Sequence, residues 1–174
     1  MRGNFSFSHL LIISLLPALM ACPTTPKKGN GTTGSTTSKS RYCSMNNPGV
    51  KHSLMNSISR LRSRQGLLDL AEDPRLSRSA RLHAARLARE GVLEHGGGGG
   101  GLMQRLRKIG IRREFLGENI ARLPYSSNPG VDVYQHWKTR RRELRNLLDN
   151  RYLRVGAAMV PGRDFCYSVL LLSN

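Results

Sequence analysis

Acidic residues are scarce in this chain: 11 Asp and Glu stand against 28 Lys and Arg, for a net charge of +17. Such an imbalance implies attraction to anionic lipid headgroups, polyanionic envelope polymers or nucleic acid. Nucleic acid is the weakest of these, because no binding motif with base-reading side chains appears. Long apolar runs are missing too. The stretch from His9 to Met20 is shorter than a membrane-spanning helix requires. The run Gly96 to Gly101 lacks the Gly-Lys-Ser/Thr ending of a phosphate-binding loop. No serine sits in a nucleophile elbow, and cysteines number only three.

What is present divides the chain. Met1-Arg2 is a short positive start, His9 to Met20 is apolar, and Leu19-Met20-Ala21-Cys22 follows. Residues 1–22 therefore read as a secretory signal. A small residue before Cys22 resembles the lipobox of bacterial lipoproteins, in which that cysteine is lipidated and becomes the first mature residue. The alternative is an ordinary signal peptide with an incidental cysteine. Three acyl chains on Cys22 would anchor the protein stably to a membrane. Pro23 is not the aspartate that marks inner-membrane retention, so the expected location is an envelope lipoprotein, preferably of the outer membrane. Residues 23–40, built of Thr, Ser, Gly, Pro and Lys, form a tether that cannot bury enough surface to fold. The globular domain runs over 41–174.

Lipidation of Cys22 leaves Cys43 and Cys166. An exported chain meets an oxidising compartment, where two remaining cysteines are expected to pair and tie the ends of the domain together. The alternative is two buried free thiols.

Within the domain, Leu54, Ile58 and Leu61 predict a helix over His52 to Gln65, with Gly66 as its stop. Leu67, Leu68 and Leu70 read as an apolar connection. Asp73-Pro74 is an N-cap followed by proline at N1, and the stripe Leu76, Ala80, Ala84, Leu87 carries a helix to Gly91. His83 lies beside that stripe and reads as a hydrogen-bonded core histidine, since no metal-ligand spacing surrounds it. Leu102, Leu106 and Ile109 give a short helix. Val131, Tyr134 and Trp137 begin another, continued by Lys138 to Arg145. The end is β: Leu153 to Val160 and Phe165 to Leu172 flank the turn Pro161-Gly162-Arg163-Asp164. The class is α+β.

One stretch organises the rest. Leu116-Gly117-Glu118-Asn119-Ile120 sets a carboxylate among apolar residues, as for an acid at the rim of a core. His95 closes the long amphipathic segment upstream, so the two are expected as a partly buried His/Glu pair in a cleft. Such a pair can do general acid–base work when burial tunes it.

The ordered set Asn56-x-x-x-Arg60, Gly66-Leu67-x-x-Leu70, Asp73-x-x-Leu76, Ala80-x-x-His83-Ala84, Leu93-x-His95, Gly117-Glu118-Asn119, Trp137, Asn146-Leu147-Leu148 and Val155-Gly156 resembles the bacterial branch of the CAP superfamily. This is the superfamily of cysteine-rich secretory, antigen 5 and pathogenesis-related proteins, or SCP domains. The resemblance implies an α-β-α sandwich with a central antiparallel sheet. It also implies a cleft of two histidines and two acids that binds zinc in some members. His95 and Glu118 match two of those positions. Glu143 stands where the second histidine is usual, and Arg140 where the remaining acid is. One histidine with two glutamates is a poor zinc set, and an arginine in the cleft would repel a cation and pair with Glu118 or Glu143. His136 is a neighbour of Trp137, but a helix turns adjacent residues about 100° apart.

The expected function is a lipid-anchored, non-enzymatic binding module of the cell envelope. Its cleft would be His95, Glu118, Glu143 and Arg140, its surface basic, and its ligand a lipid or an anionic polymer. Two alternatives stand beside it. One is a metal-dependent hydrolase or protease using His95 and Glu118, with Glu143 as a further candidate ligand. The other is a polyanion binder acting only through the arginine face.

Overall fold

The computed structural model describes residues 42–96 and 101–174. The expected signal peptide with Cys22, the tether over 23–40 and residues 97–100 of the glycine run lie outside the described residues.

The first helix among the described residues, α1 (Pro48–Ser63), starts one turn before the sequence pattern places it. Asn47 is the reason: its side chain accepts from the Gly49 N–H, and Pro48 at N1 needs no amide partner. Two residues of strand, β1 (Ala71–Glu72), follow, then α2 (Pro74–Glu90), capped by Asp73 and ended by Gly91 in the left-handed region as expected. Next come α3 (Leu102–Lys108) and β2 (Leu116–Pro124). The long helix expected from Val131 to Arg145 is two helices, α4 (Pro129–Lys138) and α5 (Arg141–Leu148). Thr139 breaks it, turning its hydroxyl back onto the carbonyls of Gln135 and His136, and Arg140 is extended. The hairpin β3 (Arg154–Pro161) and β4 (Phe165–Ser173) closes the chain where the turn chemistry sets it.

The sheet order is β1-β3-β4-β2. The pairs β3–β4 and β4–β2 are antiparallel, and the short edge strand β1 runs parallel to β3. Alternation along each strand sends side chains to two helical layers. Cys166, Leu170 and Leu172 of β4 meet α1, α4 and α5 in one core; Tyr167, Val169 and Leu171 meet α2 and α3 in the other. The result is the α-β-α sandwich. Leu68, expected in an apolar connection, faces solvent; its carbonyl, not its side chain, is used.

That carbonyl belongs to a hub absent from the sequence reading. Arg62 is buried, and its guanidinium donates to the carbonyls of Leu68, Leu147, Asp149 and Tyr152 at 2.8–3.1 Å. It ties the end of α1 to the turn between α5 and β3. Cys43 and Cys166 are disulfide-bonded, which excludes the free-thiol alternative and closes a loop spanning 123 positions.

Two glycines are set by close approach. A Cβ on Gly156 would sit 2.2 Å from the Ser77 nitrogen, so β3 can lie under the first turn of α2 only without a side chain there. A Cβ on Gly117 would meet the Tyr152 ring at 2.8–3.0 Å.

Candidate functional site

β2 is an edge strand, and its period of two decides what each residue of the central stretch does. Asn119 points to the α5 side, fully buried. It accepts from Asn146 Nδ2 at 2.8 Å and donates to the Glu143 carbonyl at 3.1 Å. Asn146 also donates to the Glu118 carbonyl, and Trp137 Nε1 donates to the Ile120 carbonyl. Side chains from α4 and α5 thus satisfy two outer carbonyls of a strand that has no neighbouring strand on that side among the described residues.

Glu118 and Ile120 point the other way, toward α2 and α3. The Glu118 side chain is 3% exposed, and three basic groups converge on it. His95 Nδ1 lies 3.1 Å from Oε2, and His83 Nε2 lies 3.5 Å from Oε1. Arg105 Nη2 donates a short hydrogen bond to Oε1, while its Nη1 donates to the His95 carbonyl at 2.7 Å. The expected pair is therefore present, with His95 34% exposed, Arg105 partly exposed, and His83 and Glu118 closed off from solvent.

The other two expected cleft residues are elsewhere. Arg140 is exposed and donates to the His136 carbonyl. Glu143 offers its main-chain carbonyl to Asn119, and no hydrogen bond or ion pair joins its carboxylate to Glu118 among the described residues. The physical reason is the strand period: α5 packs on the face that Asn119 occupies, and Glu118 is on the opposite face. The arginine that pairs with Glu118 is Arg105. His136 lines a separate groove with Tyr125 and Asp132.

Sequence reasoning missed Arg105 and undervalued His83. Arg105 sits at i+3 from Leu102 and i−1 from Leu106, so it falls inside the apolar stripe of α3, where a charge needs a buried partner. His83 is likewise in the stripe of α2, with its side chain 1% exposed. Neither ring nitrogen has a full hydrogen bond among the described residues.

Burial pushes the His83 pKa down; Glu118 opposes this, while Arg105 and Arg86 add to it. Native His83 is therefore neutral at pH values where an unfolded histidine, with pKa about 6.5, takes up a proton. Stability is fully present above that pH and falls as pH drops from about 6.5 toward the lower native pKa. Burial and then Arg140 lower His136 as well, with the same sign. Urea midpoints of His83→Phe should fall less between pH 7.5 and 5 than those of the parent; an unchanged fall would contradict a neutral buried His83.

The donor set does not fit a zinc ion. The Glu118 carboxylate is held by a guanidinium, which a dication would have to displace against like charge. His83 and His95 do meet Glu118, but no group of three His, Cys, Asp or Glu is arranged to hold a metal ion among the described residues. General base work by Glu118 would meet the same obstacle, because Arg105 donates to Oε1 and His95 lies against Oε2.

Residues 55–172 match the profile of the cysteine-rich secretory protein family, CAP. Among solved structures, the chain resembles an outer surface protein of Borrelia burgdorferi, with 20% identity, 72% of this chain and 92% of that one covered, and a TM-score of 0.65. It also resembles an extracellular SCP-domain protein of Bacillus anthracis: 23% identity, 71% and 41% covered, TM-score 0.59. A third is a cysteine-rich secretory protein of Staphylococcus aureus: 20% identity, 73% and 39% covered, TM-score 0.55. The chain spans about two fifths of the length of the last two. At these identities the likeness is one of fold. No curated protein matches the sequence.

Proposed function

This chain belongs to the cysteine-rich secretory protein (CAP) family, and on that footing we propose that it is an exported, lipid-anchored envelope module that binds phosphate-bearing anions, as lipid headgroups or polymers. Export is supported by the outer-surface and extracellular relatives in fold and by the disulfide. The anchor is Cys22, with the outer membrane preferred. The cleft around Glu118 serves mainly as a polar network, which reaches solvent through His95 and the edge of Arg105.

The observation that carries the ligand class is a group of like charges left together. Arg107, Arg112 and Arg113 line one depression of about 490 Å³, and none has a carboxylate partner among the described residues. An anion in that depression relieves their mutual repulsion and releases counterions.

Co-sedimentation of the full-length protein with phosphatidylglycerol vesicles, beside phosphatidylcholine vesicles and soluble polyphosphate, tests this reading. Binding should weaken steeply with salt and drop about tenfold or more when Arg107, Arg112 and Arg113 are all changed to Gln. Vesicles alone or polyphosphate alone responding to the variant identifies the source of phosphate. Unchanged binding in the variant sinks the proposal.

A further inference from the structure

We propose that the open edge of β3 is a strand-addition site for an extended peptide that alternates apolar and acidic residues. This rests on a different face from the arginine depression and stands independently of it.

β1 is only two residues long and ends opposite Val155. The Val155 carbonyl accepts from the Asp73 N–H at 2.8 Å, so this position turns its main-chain groups away from β4. The period of two puts those of Ala157 and Met159 on the same outward side, where no strand lies beside them among the described residues. A sheet edge left this way is a template for another strand. It is not bare surface either. A groove of about 410 Å³ runs along it, between α1 and the start of α2, with Ala157 and Met159 in its floor.

The two walls differ in chemistry. On one side Met45, Met55 and Met159 belong to or pack against the core under α1, a soft apolar surface that adapts to varied side chains. On the other, Arg78 and Arg81 are exposed on α2, and neither has a carboxylate partner among the described residues. The third cation, Lys51, is already paired with Glu72 at 2.7 Å. A strand laid on this edge sends alternate side chains to the two walls: apolar to the methionines, acidic to the arginines. The chain's own segment 23–41 is a poor occupant by the same rule, because it has no Asp or Glu and carries Lys27, Lys28, Lys39 and Arg41.

The probe is a fluorescent peptide of alternating Val and Glu, titrated into the full-length protein by anisotropy, with an alternating Val and Lys peptide as control. Saturable binding of the acidic peptide is expected, about tenfold or more tighter than the basic one. Ala157→Pro removes one outward N–H without touching the β3–β4 ladder, and should weaken binding about tenfold with unchanged circular dichroism. Arg78→Glu with Arg81→Glu should do the same on exposed side chains, and decides the matter where the proline variant does not fold. Three results overturn the proposal. The peptide fails to bind, which includes a groove filled by the protein's own 23–41 segment. It binds a folded Ala157→Pro protein as well as the parent, which makes the contact charge alone. Or the arginine pair proves irrelevant.

Discussion

Reduction of the Cys43–Cys166 bond should lower the unfolding free energy by about 4–5 kcal/mol, the largest single effect expected in this domain. The bond joins Cys43, near the start of the domain, to β4, closing a loop spanning 123 positions. In the chain-entropy account the stabilisation lies in the unfolded state, and it grows with the logarithm of the loop, reaching about 4.7 kcal/mol for a hundred residues. Both half-cystines are buried in the core under α1, so changing both to Ala also avoids leaving a thiol pair in that layer. Urea unfolding of the oxidised, reduced and double-alanine forms measures it. The reduced and alanine forms should agree with each other and fall below the oxidised form. A loss under about 1 kcal/mol would mean that residual structure already holds these ends together in the unfolded chain. The segment after Cys43 supplies Met45 to the β3-edge groove, so the same bond also holds one wall of that groove.

Elements with a strong local signal were legible in the sequence. The Asp73-Pro74 cap, the Gly91 stop and the Pro161–Asp164 turn each act through backbone chemistry within a few residues, and each stands where it was expected. Elements set by distant partners were not. β1 is a strand only because Ala71 and Glu72 lie beside Arg154 and Val155, a pairing that no two-residue pattern announces. The break at Thr139 separates two helices of one apolar-charged pattern, and its purpose is visible only once Asn146 is seen reaching β2. Arg62 reads as a helix-face cation until its four carbonyl partners are brought round it.

The site divides the same way. The His95–Glu118 contact was legible because a carboxylate among apolar residues demands a partner, and a histidine in the segment that leaves α2 can supply one. The rest of the cleft, Glu143 and Arg140, was assigned from the family resemblance, and position in sequence does not say which face of the sheet a residue meets. Glu143 and Arg140 belong to the layer that Asn119 faces, whereas Glu118 needed a cation from the α2–α3 layer. Counting the apolar stripe of α3 would have put Arg105 on its inner side.

Arg105→Met is accordingly expected to destabilise the domain by about 3 kcal/mol or more, and far more than Glu118→Leu made in the double variant. Removing Arg105 leaves a carboxylate in a nearly closed site, and breaking a buried pair from one side is strongly unfavourable, about 3–5 kcal/mol. The His95 carbonyl loses its donor in the same change, so the segment after α2 should loosen as well. Arg105→Met with Glu118→Leu removes both charges, and apolar replacement of a whole buried pair is often neutral or favourable. Denaturant unfolding of the two single variants and the double one, as a cycle, gives the coupling directly. A double variant near the parent in stability marks the pair as structural. Anion binding should then survive in it, because the arginine depression lies outside the pair. A double variant that is stable yet no longer binds phosphatidylglycerol vesicles would instead move the binding function into the cleft beside His95.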